Sequence, residues 1–187
     1  MKSLNELFYD VILLNELGGD VSAALRFSDA SSKSGLSFGL TQLDVTHNDQ
    51  AVVCLKECGF SGPEIALLQS KGAGWQALSK RLPPCAAIIE KYDTAQLSYC
   101  LNKALNFDMD FGIPVQSPGG ILAGADYVNQ YGSQGQGAVN YYDALKRPVT
   151  ALDVLNFKLS CTKYGREHPD DCKRRYNNIM KVLAENV

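Results

Sequence analysis

The sequence predicts an α+β fold, mostly helical, with a small β-hairpin lobe and a larger helical lobe. Three observations lead there. Helical periodicity recurs along most of the chain, beginning with Leu4, Leu7, Phe8, Val11 and Leu14 at the i, i+3, i+4, i+7 spacing that gives a helix one apolar stripe. The apolar–polar alternation that marks a strand is confined to residues 24–42. The composition is ordinary for a globular chain: 187 residues, 45% hydrophobic and 20% charged, without repeat, low-complexity tract or charge run. One domain over residues 1–187 accommodates it.

In order, the first helix stops at Gly18 and Gly19, because glycine adopts the left-handed conformation of a helix C-terminus at little cost. Leu25 and Phe27 alternate with polar neighbours, residues 31–35 are turn-like, and Leu36, Phe38 and Leu40 alternate again, so a short hairpin is expected. From Asn48 the period is helical. Ser61-Gly-Pro-Glu64 is a capping-box pattern with proline in the first turn, opening a helix through about Lys71. Pro83 and Pro84 precede another, re-initiated at Asp93 and running to about Asn106. Residues 112–120 read as a loop, residues 121–131 as a helix, and residues 132–137 as a glycine-rich connection. Two late helices, near 150–164 and 169–185, complete the pattern.

Net charge is −2, so no basic field attracts nucleic acid or anionic lipid. No apolar run reaches the roughly 18 residues that span a bilayer, and Asn5, Glu6 and Asp10 interrupt the first stretch, so neither membrane insertion nor a signal-peptide core is expected. Export by a phage lysis route or a secretion machine would suit that pattern. Cysteines stand at 54, 58, 85, 100, 161 and 172. Six allow fifteen pairings, and buried thiols are as acceptable a reading as bridges. Cys54 and Cys58 sit four apart on a helix, where disulfide geometry is rarely met. The spacings are not those of a zinc site, so no metal is expected.

Glu16 is the acid of chemical interest. It falls next to Ile12 at the edge of the first helix's apolar face, in the last turn, where partial burial and the helix dipole both oppose a negative charge. A general acid working near neutrality needs that setting. After Glu16-Leu-Gly-Gly-Asp20 comes a hairpin ending in Ser37-Phe-Gly-Leu-Thr-Gln42. A helix ending in glutamate, followed by a small hairpin bearing Ser/Thr-x-Gly-x-x-Gln, resembles the lysozyme-like superfamily, including goose-type and phage lysozymes and lytic transglycosylases.

The resemblance implies a lysozyme-like fold and cleavage of the peptidoglycan glycan strand in the bacterial periplasm or cell wall, with no cofactor. It implies Glu16 as the acid that protonates the glycosidic oxygen, and Ser37 as the hydroxyl that positions water or holds the glutamate. Gly39 would allow close backbone approach to the sugar, and Gln42 would hydrogen-bond the substrate or the acid. Asp29 is the candidate second carboxylate, with Asp44 in reserve. Leu17 departs from the small polar residue that follows the glutamate in transglycosylases. Tyr127 and Asn129, in Asp126-Tyr-Val-Asn-Gln-Tyr131, echo a Tyr-Asn pair bordering the transglycosylase cleft. On a helix they point about 200° apart, so at most one can face a sugar.

Trp75, Tyr141 and Tyr142 offer rings for sugar stacking or for a core. His47 reads as a surface or capping residue, His168 as part of a helix start, and Lys173-Arg174-Arg175 as a solvated face. With a second carboxylate the outcome is hydrolysis with inversion; without one the substrate completes the reaction and an anhydro product results. Rival readings are a hydrolase of another aminosugar polymer and a non-catalytic glycan-binding or assembly module, for which a delivery or immunity partner is undefined. A cysteine peptidase ranks lower.

Overall fold

The computed structural model describes residues 2–29, 35–115 and 117–186. It is mostly helical, with one two-stranded antiparallel sheet among the described residues. No helix among them is long and apolar enough to cross a membrane. The chain divides into two compact units, one made of Met1–Asn15 with Leu97–Val187 and the other of Glu16–Gln96. Helix α1 (Leu4–Leu17) therefore begins in the first and ends in the second.

In the Glu16–Gln96 unit the glycines after α1 act as their position suggests. Gly18 and Gly19 take φ of +60° and +91°, and the Asp20 amide donates back to Leu17 O at 3.0 Å. The first expected strand does not form in full. Val21–Leu25 is a 3₁₀ helix, because the Asp20 carboxylate caps its Ser22 amide and draws the backbone into a tight turn. Among the described residues of that stretch, Ser28 reaches the sheet, through a bridge to Ser37. The paired strands are β1 (Ser37–Phe38) and β2 (Leu43–Asp44), in register Ser37↔Asp44 and Phe38↔Leu43. Of the expected 31–35 turn, residues 31–34 lie outside the described residues.

Phe27, Leu36, Phe38, Leu43 and Val45 turn inward from this layer, and α2 (Asp49–Glu57) and α3 (Gly62–Gln69) close over them with Ala51, Leu55, Ile65 and Leu68. Phe27 meets Phe38 and Phe60 edge-on, at centroid separations of 5.6 and 6.1 Å. The capping box at α3 forms as its sequence predicts: Ser61 N and Oγ both donate to the Glu64 carboxylate at 2.8 Å. Helix α4 (Ala86–Leu105) runs unbroken through Asp93, whose side chain serves another segment rather than capping a new helix.

In the other unit α5 (Phe107–Phe111) leads to α6 (Pro118–Tyr131), which opens inside the expected loop because Ser117 caps it and Pro118 suits a first turn. Gly132, at φ +78°, ends it. The glycine-rich connection is shorter than the sequence suggests, since α7 (Gln136–Ala144) starts within it. The late region is three helices: α8 (Ala151–Cys161), α9 (Lys163–Glu167) and α10 (Pro169–Asn186). Thr162 makes the extra break, donating to Lys158 O at 2.7 Å while accepting from the Gly165 amide at 2.9 Å.

Helix α6 packs on α8 and α10, and between them lies a buried ionic cluster. Arg175 Nη2 and Nε reach the Asp126 carboxylate at 2.5 and 3.1 Å, Asn15 Nδ2 donates to it at 2.9 Å, and Lys158 Nζ stands 3.7 Å away. Burial alone would raise the Asp126 pKa, but Arg175 and Lys158 outweigh it and hold the group below the usual carboxylate range. Lys158, the surplus cation, has its own pKa lowered by burial against the pull of Asp126. Arg175 therefore corrects the reading of 173–175 as a solvated face. It shares a helix face with buried Cys172, Ile179 and Val182, three, four and seven residues away, whereas Lys173 and Arg174 pair with Asp170 and Asp171.

Candidate functional site

The residues singled out around the hairpin gather into one hydrogen-bonded assembly. Gly39–Gln42 form the turn between β1 and β2, with Gly39 at φ +80° and Gln42, unusually for a side-chain-bearing residue, at φ +55°. Gln42 is held on both sides: its Nε2 donates to Gly39 O at 2.9 Å and its Oε1 accepts from Ser28 Oγ at 2.6 Å. Those bonds offset the cost of the left-handed backbone. The Gly39 amide donates to Ala24 O at 2.8 Å, tying the turn to the 3₁₀ segment that follows α1.

Beneath the turn sits Asp93 of α4, a residue that sequence reasoning missed. Its Oδ2 accepts from the Leu40 amide at 2.8 Å, and its Oδ1 accepts from the Thr41 amide at 2.9 Å and from Thr41 Oγ1 at 2.7 Å. Asp93 and Thr41 are each 5% exposed. Burial pushes the Asp93 pKa upward, against the lowering effect of the Thr41 and Leu40 bonds. A Cβ on Gly39 would lie 2.8 Å from Asp93 Oδ1, so the close approach that this glycine permits is taken up by the carboxylate. One signal could have found Asp93: it continues the buried stripe of Cys85, Ile89, Cys100 and Ala104 at helical spacing, and a lone acid on an apolar stripe needs buried donors.

The acids separate by environment. Glu16 is half-buried in the last turn of α1, where no basic residue stands. Asp29 directly follows the Ser28 bridge, is exposed, and pairs with Lys71 Nζ at 2.5 Å. Asp44 is committed to the hairpin, accepting from the Gly35, Thr46 and His47 amides at 2.9, 2.7 and 3.0 Å. Burial would raise its pKa, but those bonds and the His47 ring at 3.1 Å lower it. His47 is thus a surface partner of a turn. Ser37 is buried, its backbone exchanging both hydrogen bonds with Ser28 and its carbonyl also accepting from Ser28 Oγ at 3.3 Å.

Tyr127 and Asn129 belong to the other unit and diverge as their spacing predicts. Tyr127 is buried, stacks on Tyr131 at 4.4 Å and tilts onto Phe157 of α8, and burial pushes its pKa up to about 12. Asn129 Oδ1 lies 4.0 Å from Cys100 Sγ of α4. Tyr142 is core, Tyr141 is half-buried beside it, and Trp75 packs partly buried against the Glu16–Gln96 core. His168 caps α9 and leans on Tyr164 at 4.6 Å. Comparison of the chain with family models, with curated proteins and with solved structures finds no match.

Proposed function

We propose that this chain cleaves the glycan strand of peptidoglycan, with Glu16 as the acid that protonates the glycosidic oxygen. One observation carries the reading. The segment leaving the Glu16 end of α1 is short and compact, and at Ala24 it is bonded to Gly39 in the turn of the Ser37–Gln42 motif. Acid and motif thus share one unit, and Asp93 holds the motif's turn from below. The acid lies in the last turn of α1, at the negative end of the helix dipole, and no basic residue stands in that turn.

In the hydrolytic version Asp29, with Ser37, activates water on the opposite face of the sugar, and the product keeps a reducing end. The Lys71–Asp29 pair favours a second version on the same substrate. Lys71 Nζ occupies the Asp29 carboxylate, and with that carboxylate engaged the sugar's own N-acetyl or 6-hydroxyl group would complete the reaction as an anhydro end.

The test is mass spectrometry of the fragments released from purified peptidoglycan by wild type and by Glu16→Gln. Reducing-end muropeptides from wild type, with release by the variant lower by roughly 10²–10⁴-fold, are expected. Anhydro ends would move the mechanism to the second version. No release by wild type overturns the reading and leaves a non-catalytic module; equal release by the variant overturns Glu16 as the acid.

A further inference from the structure

We propose that Cys58 and Cys85 form a disulfide when the chain folds under oxidising conditions. The observation is a trio of thiols in the Glu16–Gln96 unit that the proposed cleavage does not use. Cys54 lies in the last turns of α2, Cys58 caps its C-terminus and Cys85 stands at the entrance to α4. All six cysteines are thiols in this structure. Cys85 Sγ donates to Cys58 O at 3.7 Å and to Arg81 O at 3.4 Å, which sets the Cys85 thiol against the Cys58 residue. Among the described residues no three His, Cys, Asp or Glu side chains are arranged to hold a metal ion.

The pair is selected by geometry. Cys54 and Cys58 share one helix face, where the Cβ vectors run alongside each other rather than converging, which a disulfide needs. Cys85 approaches Cys58 from a different segment, 27 residues away, as a cross-link requires. The other three cysteines have different surroundings: Cys100 meets Asn129, exposed Cys161 meets Ser160, and Cys172 lines the pocket of the Asp126 cluster. In the finished fold Cys58 is partly exposed and Cys85 buried.

The chemistry is thiol–disulfide exchange with a small-molecule disulfide. The Cys58 thiolate attacks one sulfur, the external S–S bond breaks, and one thiol leaves carrying a proton. The Cys85 thiolate then attacks Cys58 in the mixed disulfide and expels the second thiol. Two protein thiols are oxidised, and one external disulfide is reduced to two thiols. Burial pushes the Cys58 thiol up, and the Cys54 thiol up to about 12, so thiolate is scarce in the finished fold. Closure therefore belongs to folding, before the trio is covered.

The full chain is reduced, unfolded and refolded in a buffer of oxidised and reduced glutathione, then alkylated and mapped by mass spectrometry without reductant. One linked peptide pair joining Cys58 to Cys85, with the other four cysteines alkylated, is the expected result. Refolding with reductant alone should leave all six alkylated after denaturation and lower Tm by roughly 5–10 °C, as opening a loop of this length implies. Cys54→Ser should keep the link. All six alkylated in the oxidising buffer, or a link made through Cys54, overturns the proposal; the mapping is done on wild type and does not depend on any variant folding.

Discussion

Removing the Asp93 carboxylate should loosen the hairpin turn more than any other single change in the Glu16–Gln96 unit. Asp93→Ala withdraws the acceptors of three donors, the Leu40 and Thr41 amides and the Thr41 hydroxyl. An orphaned buried donor costs about 1–3 kcal/mol, giving a gross loss of about 3–9 kcal/mol. Two effects reduce it: the cavity can admit water, and the desolvation that raises the Asp93 pKa is relieved. A net loss of about 3 kcal/mol is expected, read as a shift in denaturant midpoint at unchanged slope. Asp93→Asn refines the argument. Its oxygen can keep both Thr41 bonds, but its amide then faces the Leu40 N–H, so one donor is orphaned and about 1–2 kcal/mol is lost. Amide exchange at Leu40 and Thr41 should accelerate in the alanine variant, and at Leu40 alone in the asparagine variant. A loss below about 1 kcal/mol for Asp93→Ala, with both amides still protected, would refute the reasoning.

Two further outcomes follow from the buried charges. Arg175→Met leaves the Asp126 carboxylate with Lys158 at 3.7 Å and Asn15, and should cost about 3–5 kcal/mol by urea unfolding; adding Asp126→Asn should deepen the loss, because buried Lys158 is then left without its carboxylate, and a single-variant cost below about 1 kcal/mol would contradict it. The pH dependence has two signs. Asp153 is lowered from 3.8 to about 2 by Arg147 and Thr150, so its contribution is fully present above pH 3.8 and is lost as pH falls towards 2. With half-exposed Arg147 discounted for screening, it amounts to about 1–2 kcal/mol, and Asp153→Asn should flatten the acid limb of stability between those values. The Asp93 pKa is raised, so its contribution is present at low pH and is lost as pH rises through the shifted value.

Elements written in local chemistry were legible. The apolar stripe of α1, its glycine stop and the Ser61–Glu64 box need only neighbours in sequence, and all three form. The first expected strand was not, because Leu25 and Phe27 alternate as a strand does while the cap that curls residues 21–25 comes from Asp20. Helix α4 misled in the opposite way: Asp93 resembles a helix start because aspartate caps helices, yet its partners lie 52 and 53 residues away. Arg175 was hidden by two cationic neighbours that do face solvent. At the candidate site the sequence brought Ser37, Gly39 and Gln42 to one hairpin; that Gln42 staples its turn and that Gly39 accommodates a carboxylate depends on Ser28 and Asp93, which no short motif contains.

The division of the chain has a consequence for the order in which it can be made. The Glu16–Gln96 unit is continuous, so it can close as soon as it has left the ribosome. The Met1–Asn15 segment cannot, because Asn15 bonds to Asp126, Arg174 and Asn178, at separations of 111, 159 and 163 residues. Leu7, Phe8, Val11 and Ile12, all buried in the finished fold, are thus synthesised first and covered late. During that interval the nascent chain displays an apolar helix, the kind of surface that chaperones hold and that self-associates when they do not. Supply of α10, which carries Arg174 and Asn178, then ends the wait of Asn15 for its partners.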